Sequence, residues 1–120
     1  MSSPEPPLSI PEPQGLNQTT APVFAAMGDP TRLGLVARLS AGESLSIAQL
    51  TEGTGLTRQG VTKHLRTLEA AGIVTRRRVG RESRFAYAPK PLDDARHFLD
   101  RVSRQWDDAI GRLRAFVEDD

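Results

Sequence analysis

The sequence predicts a mainly helical domain that carries one small β-hairpin. Three observations lead there. Apolar residues recur every three to four positions through most of the chain, and the predicted helices are opened by capping residues. A single region, residues 73–88, is instead rich in β-branched and aromatic residues. Positive charge is concentrated over that region and the helix before it.

Residues 1–19 hold Pro4, Pro6, Pro7, Pro11 and Pro13, with Leu8, Ile10 and Leu16 too sparse to form a periodic face, so they are expected to be a disordered leader. The domain is expected to span 20–118. A first helix is predicted to begin at Thr20 or Ala21 and to close at Gly28. Asp29 is the N-cap of a second, because its carboxylate can accept from free amides while Pro30 takes the first helical position, where its missing N–H costs nothing. That helix should run to about Ser40, with Leu33, Val36 or Ala37, and Leu39 on its apolar face. Ser46 and Gln49 form the S-x-x-Q capping box of a short third helix, with Leu45 able to staple onto Leu50. After Gly53 and Gly55, Thr57 repeats the device and Leu56 faces Val61. The fourth helix, Arg58 to Ala71, stops at Gly72 and buries Val61, Leu65 and Leu68, spaced by four and three. Two short helices meeting at a glycine turn, the second basic on its outer side, make a helix-turn-helix.

Residues 73–79 and 83–88 read as two strands joined by Gly80, Arg81 and Glu82, a hairpin standing as a wing beside that motif. From Leu92 the pattern returns to helix as far as Val117, roughly 40 Å at 1.5 Å per residue. Along it Leu92, Leu99, Trp106 and Leu113 recur every seven residues, as do Ala95, Val102, Ala109 and Phe116. The two sets interleave into a seam of the kind that pairs helices, and short neighbours cannot cover so long a rod. Self-association along this helix is therefore expected, with Trp106 as an aromatic anchor.

Composition narrows function. A chain of 120 residues suits one small domain, and it has no cysteine, hence no disulfide, thiolate metal site or cysteine nucleophile. Two histidines, His64 and His97, do not make a zinc site, and no nucleophile, base and orienter can be placed together, so catalytic, cofactor and metal sites are all expected to be absent. No apolar run can span a membrane and the N-terminus lacks a signal-peptide pattern, which makes the cytoplasm the expected location. The net charge of +1 hides a strong asymmetry. Residues 57–90 carry nine basic and two acidic side chains, net +7, and a polyanion would feel that patch.

Duplex DNA is the polyanion such a helix fits, because the major groove admits one helix whose polar side chains reach base edges. Gln59 can bond adenine bidentately, Arg58 or Lys63 can reach guanine, and Thr62 can meet a thymine methyl or an acceptor. Thr57 and the first amides of the helix suit a phosphate. Gly60 either lets the backbone approach the groove or simply weakens the helix. Arg66 extends the basic side, and His64 is either a packed histidine or a phosphate contact. In the wing, Arg76 and Arg78 share one face and Arg77 the other, which leaves Arg81 at the tip, with Arg78 and Arg84, as the candidate DNA contacts. A winged-helix module that binds only protein is the alternative reading, and it leaves the +7 segment without a purpose.

The stretches GDPTR at 28–32, VTKHLRTLEAAGIV at 61–74 and GRESRFAY at 80–87 resemble the winged helix-turn-helix domain of the ArsR family of bacterial transcriptional regulators over about residues 20–118. The resemblance implies a homodimer paired through its first and last helices, binding double-stranded operator DNA and repressing transcription. It adds Val23, Phe24 and Met27 to the seam residues in the implied interface. The family's metal sites are not matched. ESLSIAQLTE at 43–52 lacks the cysteines of its thiolate sensors, and Asp93, Asp94, His97, Glu118 and Asp119 have neither the second histidine nor the spacing of its other site. The tail at 104–118 resembles a cysteine-free branch, whose inducer, small molecule or protein, the sequence does not name.

Overall fold

The computed structural model describes residues 16–118. Its elements run α1 (Leu16–Met27), α2 (Pro30–Ser40), β1 (Leu45–Ser46), α3 (Ile47–Thr51), α4 (Arg58–Ala70), β2 (Val74–Val79), β3 (Glu82–Tyr87) and α5 (Lys90–Glu118). The first helix starts at Leu16, earlier than expected, so residues 16–19 belong to it rather than to a leader; residues 1–15 lie outside the described residues.

Capping explains the sharp helix starts. Asp29 Oδ2 accepts from the Arg32 amide at 3.0 Å, and the Ser46–Gln49 box is reciprocal, at 3.1 Å and 2.9 Å. Thr57 Oγ1 accepts from the Gly60 amide at 3.0 Å. α4 ends in a Schellman motif: the Ile73 amide reaches Leu68 O at 3.0 Å and the Gly72 amide reaches Glu69 O at 2.9 Å. That geometry puts Gly72 at φ +78°, where a Cβ would be strained, and Leu68 and Ile73 close the motif as fully buried neighbours.

The core gathers Val23 and Ala26 from α1, Leu35, Val36 and Leu39 from α2, Leu50, Val61, Leu65, Leu68, Ile73, Val74, Phe85 and Ala95. In α2 the expected Leu33 is 47% exposed and Leu35 is buried in its place, because the inward stripe is 35, 36 and 39. Leu56 stays outside the core while Val61 enters it.

The wing is tighter than expected. Val79 pairs with Glu82, so the tip is two residues, Gly80 and Arg81, not three. Gly80 has φ +63° and Arg81 does not enter positive φ, the pattern of a type II′ turn. The last ladder bond, Ala88 N to Ile73 O at 2.9 Å, explains why the apolar pattern ran one residue beyond each strand.

A third strand was missed. β1 is two residues long and pairs antiparallel with β3, Leu45 opposite Phe85 and Ser46 opposite Arg84, giving the order β1-β3-β2. Arg84 holds this seam from the side: Nε donates to Ser44 Oγ at 3.2 Å and Nη2 to Ser44 O at 2.9 Å. Arg38 does the same for α3, donating to the carbonyls of Gln49 at 2.9 Å, Leu50 at 3.1 Å and Glu52 at 3.4 Å, which the end of a short helix otherwise leaves unpaired.

Two stability outcomes follow. Leu65→Ala removes a fully buried side chain on which α4 rests, and urea melts should show a loss of about 2–5 kcal/mol. Arg84→Ala leaves the Ser44 carbonyl without its donor at a partly exposed site, and the same melts should show a loss on the order of 1 kcal/mol.

Candidate nucleic-acid interface

The burial of Val61, Leu65 and Leu68 decides which side of α4 faces out. Arg58, Gln59, Lys63 and Arg66 are exposed and Thr62 is half-buried; at 100° per residue they lie on one side of the helix, away from the stripe. Of the expected contacts these five are brought together. Thr57 sits at the start of the same face with its hydroxyl oxygen accepting from Gly60, so its hydroxyl proton is what remains for a ligand. Thr62 is the reverse case. Its hydroxyl donates to Arg58 O at 2.7 Å, which leaves a methyl group and an acceptor oxygen to present. At Gly60 an added Cβ would come 3.4 Å from Thr57 Oγ1, ordinary contact, so packing alone does not demand glycine there.

His64 lies about 100° round the helix from Lys63, between it and the buried stripe, on the side that faces α2. Its Nδ1 lies 3.1 Å from Arg32 Nη1 and 3.8 Å from Asp29 Oδ2, which ties α4 to the start of α2. The Arg32 amide hydrogen bond, and then the Arg32 guanidinium and His64, hold the Asp29 carboxyl below its ordinary value despite partial desolvation.

The register of the wing separates its arginines as their alternation required. Arg76 opposes Phe85 and Arg78 opposes Ser83 on one face, while Arg77 opposes Arg84 on the other. Arg78 and Arg81 are exposed. Arg84 is not among the outward arginines. Its guanidinium is turned to Ser44 and lies 3.8 Å from Glu82, an internal clamp at the side of the wing. The clamp was not legible in the sequence, because spacing shows which face a strand residue takes and not which loop crosses that face.

The other expected surface divides in two. Val23 and Ala95 are buried within their own domain and are unavailable to a partner, and Met27 and Leu92 pack against the core from its edge. Phe24 meets Phe98 edge-on at 6.1 Å. Beyond Val102 the large seam residues are bare: Trp106 and Leu113 are each 63% exposed and Phe116 74%, with Ile110 and Val117 beside them. Val102 and Ala109 are half-buried and Leu99 is exposed. Ile110 and Val117 widen the face as their positions in the helix dictate.

Among the described residues no group of three or more His, Cys, Asp or Glu side chains is placed to hold a metal ion, and no helix is long and apolar enough to cross a membrane. Asp119 lies outside them.

Residues 27–77 match the family described as a helix-turn-helix domain. Over 83 residues, 64% of this chain and 90% of the other, the sequence is 34% identical to an uncharacterized HTH-type transcriptional regulator, YuzN, of Bacillus subtilis. It is 30% identical over 105 residues to the HTH-type transcriptional repressor SmtB of Mycobacterium tuberculosis, covering 88% of this chain and 76% of that one. An ArsR-like transcriptional regulator from Rhodococcus sp. RHA1 superposes with a TM-score of 0.75 at 30% identity, over 85% of this chain and 95% of its own. These are regulators, which sets aside both the enzyme and the protein-only module. With its helix-turn-helix, its short wing and its outward basic helix, the chain belongs to the ArsR family of winged helix-turn-helix, DNA-binding transcriptional regulators.

Proposed function

We propose that the protein is a homodimeric repressor that binds a palindromic operator in the cytoplasm through α4 and the wing. The observation that carries this reading is the continuous outward face of α4, Arg58, Gln59, Thr62, Lys63 and Arg66, beside a wing that keeps Arg78 and Arg81 exposed. The division of labour follows from chemistry. Gln59, Thr62 and Lys63 discriminate bases, because a planar amide, a methyl and a flexible ammonium match base edges. Thr57, Arg66, Arg78 and Arg81 anchor phosphates and fix register. An inducer, small molecule or protein, would act by altering the dimer.

Dimerisation is supported by the bare half of α5. Leu99, Trp106, Ile110, Leu113, Phe116 and Val117 form a contiguous apolar face that a soluble monomer rarely leaves in water. A second copy of the same face covers it. Phe24, with Met27 at the edge of the core, extends the contact onto α1. Two recognition helices related by the dimer axis then enter successive major grooves, with half-site centres roughly 34–36 Å apart.

Titration of the protein against duplexes of its own upstream DNA and scrambled controls, across a salt series, tests the reading. Gln59→Ala should cost about 1–3 kcal/mol on the preferred site and much less on the control. Arg81→Ala should weaken both and lower the magnitude of the salt slope by about one. Equal losses for Gln59→Ala on the two duplexes would reverse the roles. For the dimer, sedimentation at micromolar concentration should find two copies in the wild type and one when Trp106→Asp and Leu113→Asp are combined, because each places a carboxylate in an apolar interface. A monomeric wild type would defeat the homodimer.

A further inference from the structure

α1 ends against a proline, and that leaves one of its carbonyls without a helical donor. The Ala26 carbonyl would accept from the amide of residue 30, and residue 30 is Pro30, which has no N–H. Arg32 supplies the missing donor. Its Nε reaches Ala26 O at 2.6 Å, a short bond from a charged group. The same residue lies in the first turn of α2, where its amide donates to Asp29 Oδ2 at 3.0 Å, and its Nη1 lies 3.1 Å from His64 Nδ1 on α4. α4 stays tied to this turn in either state of the imidazole: neutral, it accepts from Arg32, and protonated, it faces Asp29 Oδ2 at 3.8 Å. Arg32 continues the tie to α1. That helix packs Phe24 edge-on against Phe98 of α5 at 6.1 Å, so α1 and α5 form one arm, and the arm carries the bare apolar face. Arg32 therefore stands where the arm meets the helix-turn-helix.

We propose that Arg32 is a positioning residue for operator binding: by fixing the angle at which the α1–α5 arm meets α2 and α4, it fixes how far apart the two recognition helices of a dimer stand, without touching DNA itself. The proposal rests on the homodimeric reading above and adds to it the element that sets half-site spacing. The core beneath α4 fixes the rotation of that helix about its own axis, but apolar attraction has no direction. A hydrogen bond has one, and weakens steeply as its angle closes. The linker between α1 and α2 is only Gly28 and Asp29, so without Arg32 the angle is left to two residues, one of them a glycine. Small changes of that angle matter. α4 has 13 residues, roughly 20 Å, so a swing of about 10° about one end moves the other by about 3.5 Å, one base-pair step along the duplex.

The operator is first located by footprinting on DNA from upstream of the protein's own gene. Affinity is then measured on three duplexes: the operator, the operator with one base pair added at its centre, and a single half-site flanked by unrelated sequence. The wild type should bind the operator about tenfold more tightly than the lengthened one, because the added pair shifts one half-site by about 3.4 Å and turns it by about 35°. Arg32→Gln removes the charge and the fork. It should lose roughly tenfold on the operator, the fold-change of one charge-assisted hydrogen bond, and bind the half-site as the wild type does with the salt slope unchanged. Its preference for the original spacing should fall to about threefold or less. Sedimentation should find it still dimeric, and thermal melts report whether it folds. Where it does not, Arg32→Lys is read in its place: the lysine keeps a charge and a donor but cannot hold a fork on two helices, so spacing preference should fall and half-site binding should stay. In the wild type itself the Arg32 Nε–H should exchange slowly with water, both free and on the operator; fast exchange in the complex would show the tie open when DNA is bound and would overturn the proposal. Equal losses on operator and half-site, a wild type indifferent to the added base pair, or an Arg32→Gln protein that keeps the full spacing preference would each do the same. So would a salt slope lowered by about one in Arg32→Gln, or an Arg32→Lys protein that matches the wild type on all three duplexes, since either makes Arg32 a phosphate contact. A wild type that binds no duplex, or that sediments as a monomer, would instead overturn the reading beneath it.

Discussion

Everything that α4 presents outward is set by what it buries. Val61, Leu65 and Leu68 are wholly removed from water beneath the recognition helix, each contributing on the order of 1.5–3 kcal/mol, and a rotation that exposed them would also bury Arg58 and Lys63. Apolar packing thus aims the polar face, with no polar contact needed to hold it. The ends of the helix are fixed as firmly as its rotation. Thr57 caps its first turn, and the Schellman turn at Gly72 delivers the chain directly into β2. The wing therefore inherits its position from the same helix.

Charge is distributed with equal economy. Much of the positive charge of residues 57–90 lies on the two elements that reach outward, yet Arg84 of that segment, like Arg38 on α2, is turned to backbone carbonyls of its own domain. Arg38 satisfies three carbonyls at the end of α3, and Arg84 is committed to Ser44. Arg84 also stands directly across the ladder from Arg77, an arrangement that costs stability when both charges face water. Turning Arg84 toward a carbonyl and Glu82 relieves that repulsion and leaves Arg77 the outer side.

How much of this was legible depended on whether the signal was local. The caps at Asp29, Ser46 and Thr57, the buried stripe of α4 and the heptad seam of α5 follow from spacings of three, four and seven residues, and all were readable. Features that depend on a distant segment were not. The strand at Leu45–Ser46 exists because β3 lies beside it, and two residues carry no periodicity of their own. Arg84 could be assigned to a face but not to Ser44, forty positions away. The same limit applies to the interface set. Ala95 looks like a seam residue by spacing and Val23 is added by the resemblance, but the packing of α1 on α5 draws both into the domain's own core. Arg32 carried only a motif letter in the sequence, and its bond to His64 crosses thirty-two positions. The start of α1 was placed late because Leu16 and the sparse apolar residues before it show no periodic face; Pro22 is accommodated inside the helix.

Ser46 belongs to two structures at once. Its backbone pairs with Arg84 in the sheet, and its hydroxyl and amide close the box that starts α3. Sheet register and helix phase are thereby referenced to a single α-carbon. The wing cannot slip along its ladder without rotating the first helix of the reading head, so the two work as one gauge block rather than as jointed parts. Sequence change is confined accordingly. Drift can lengthen the wing tip or recolour its surface, whereas an insertion between residues 44 and 47 would have to re-index both elements together.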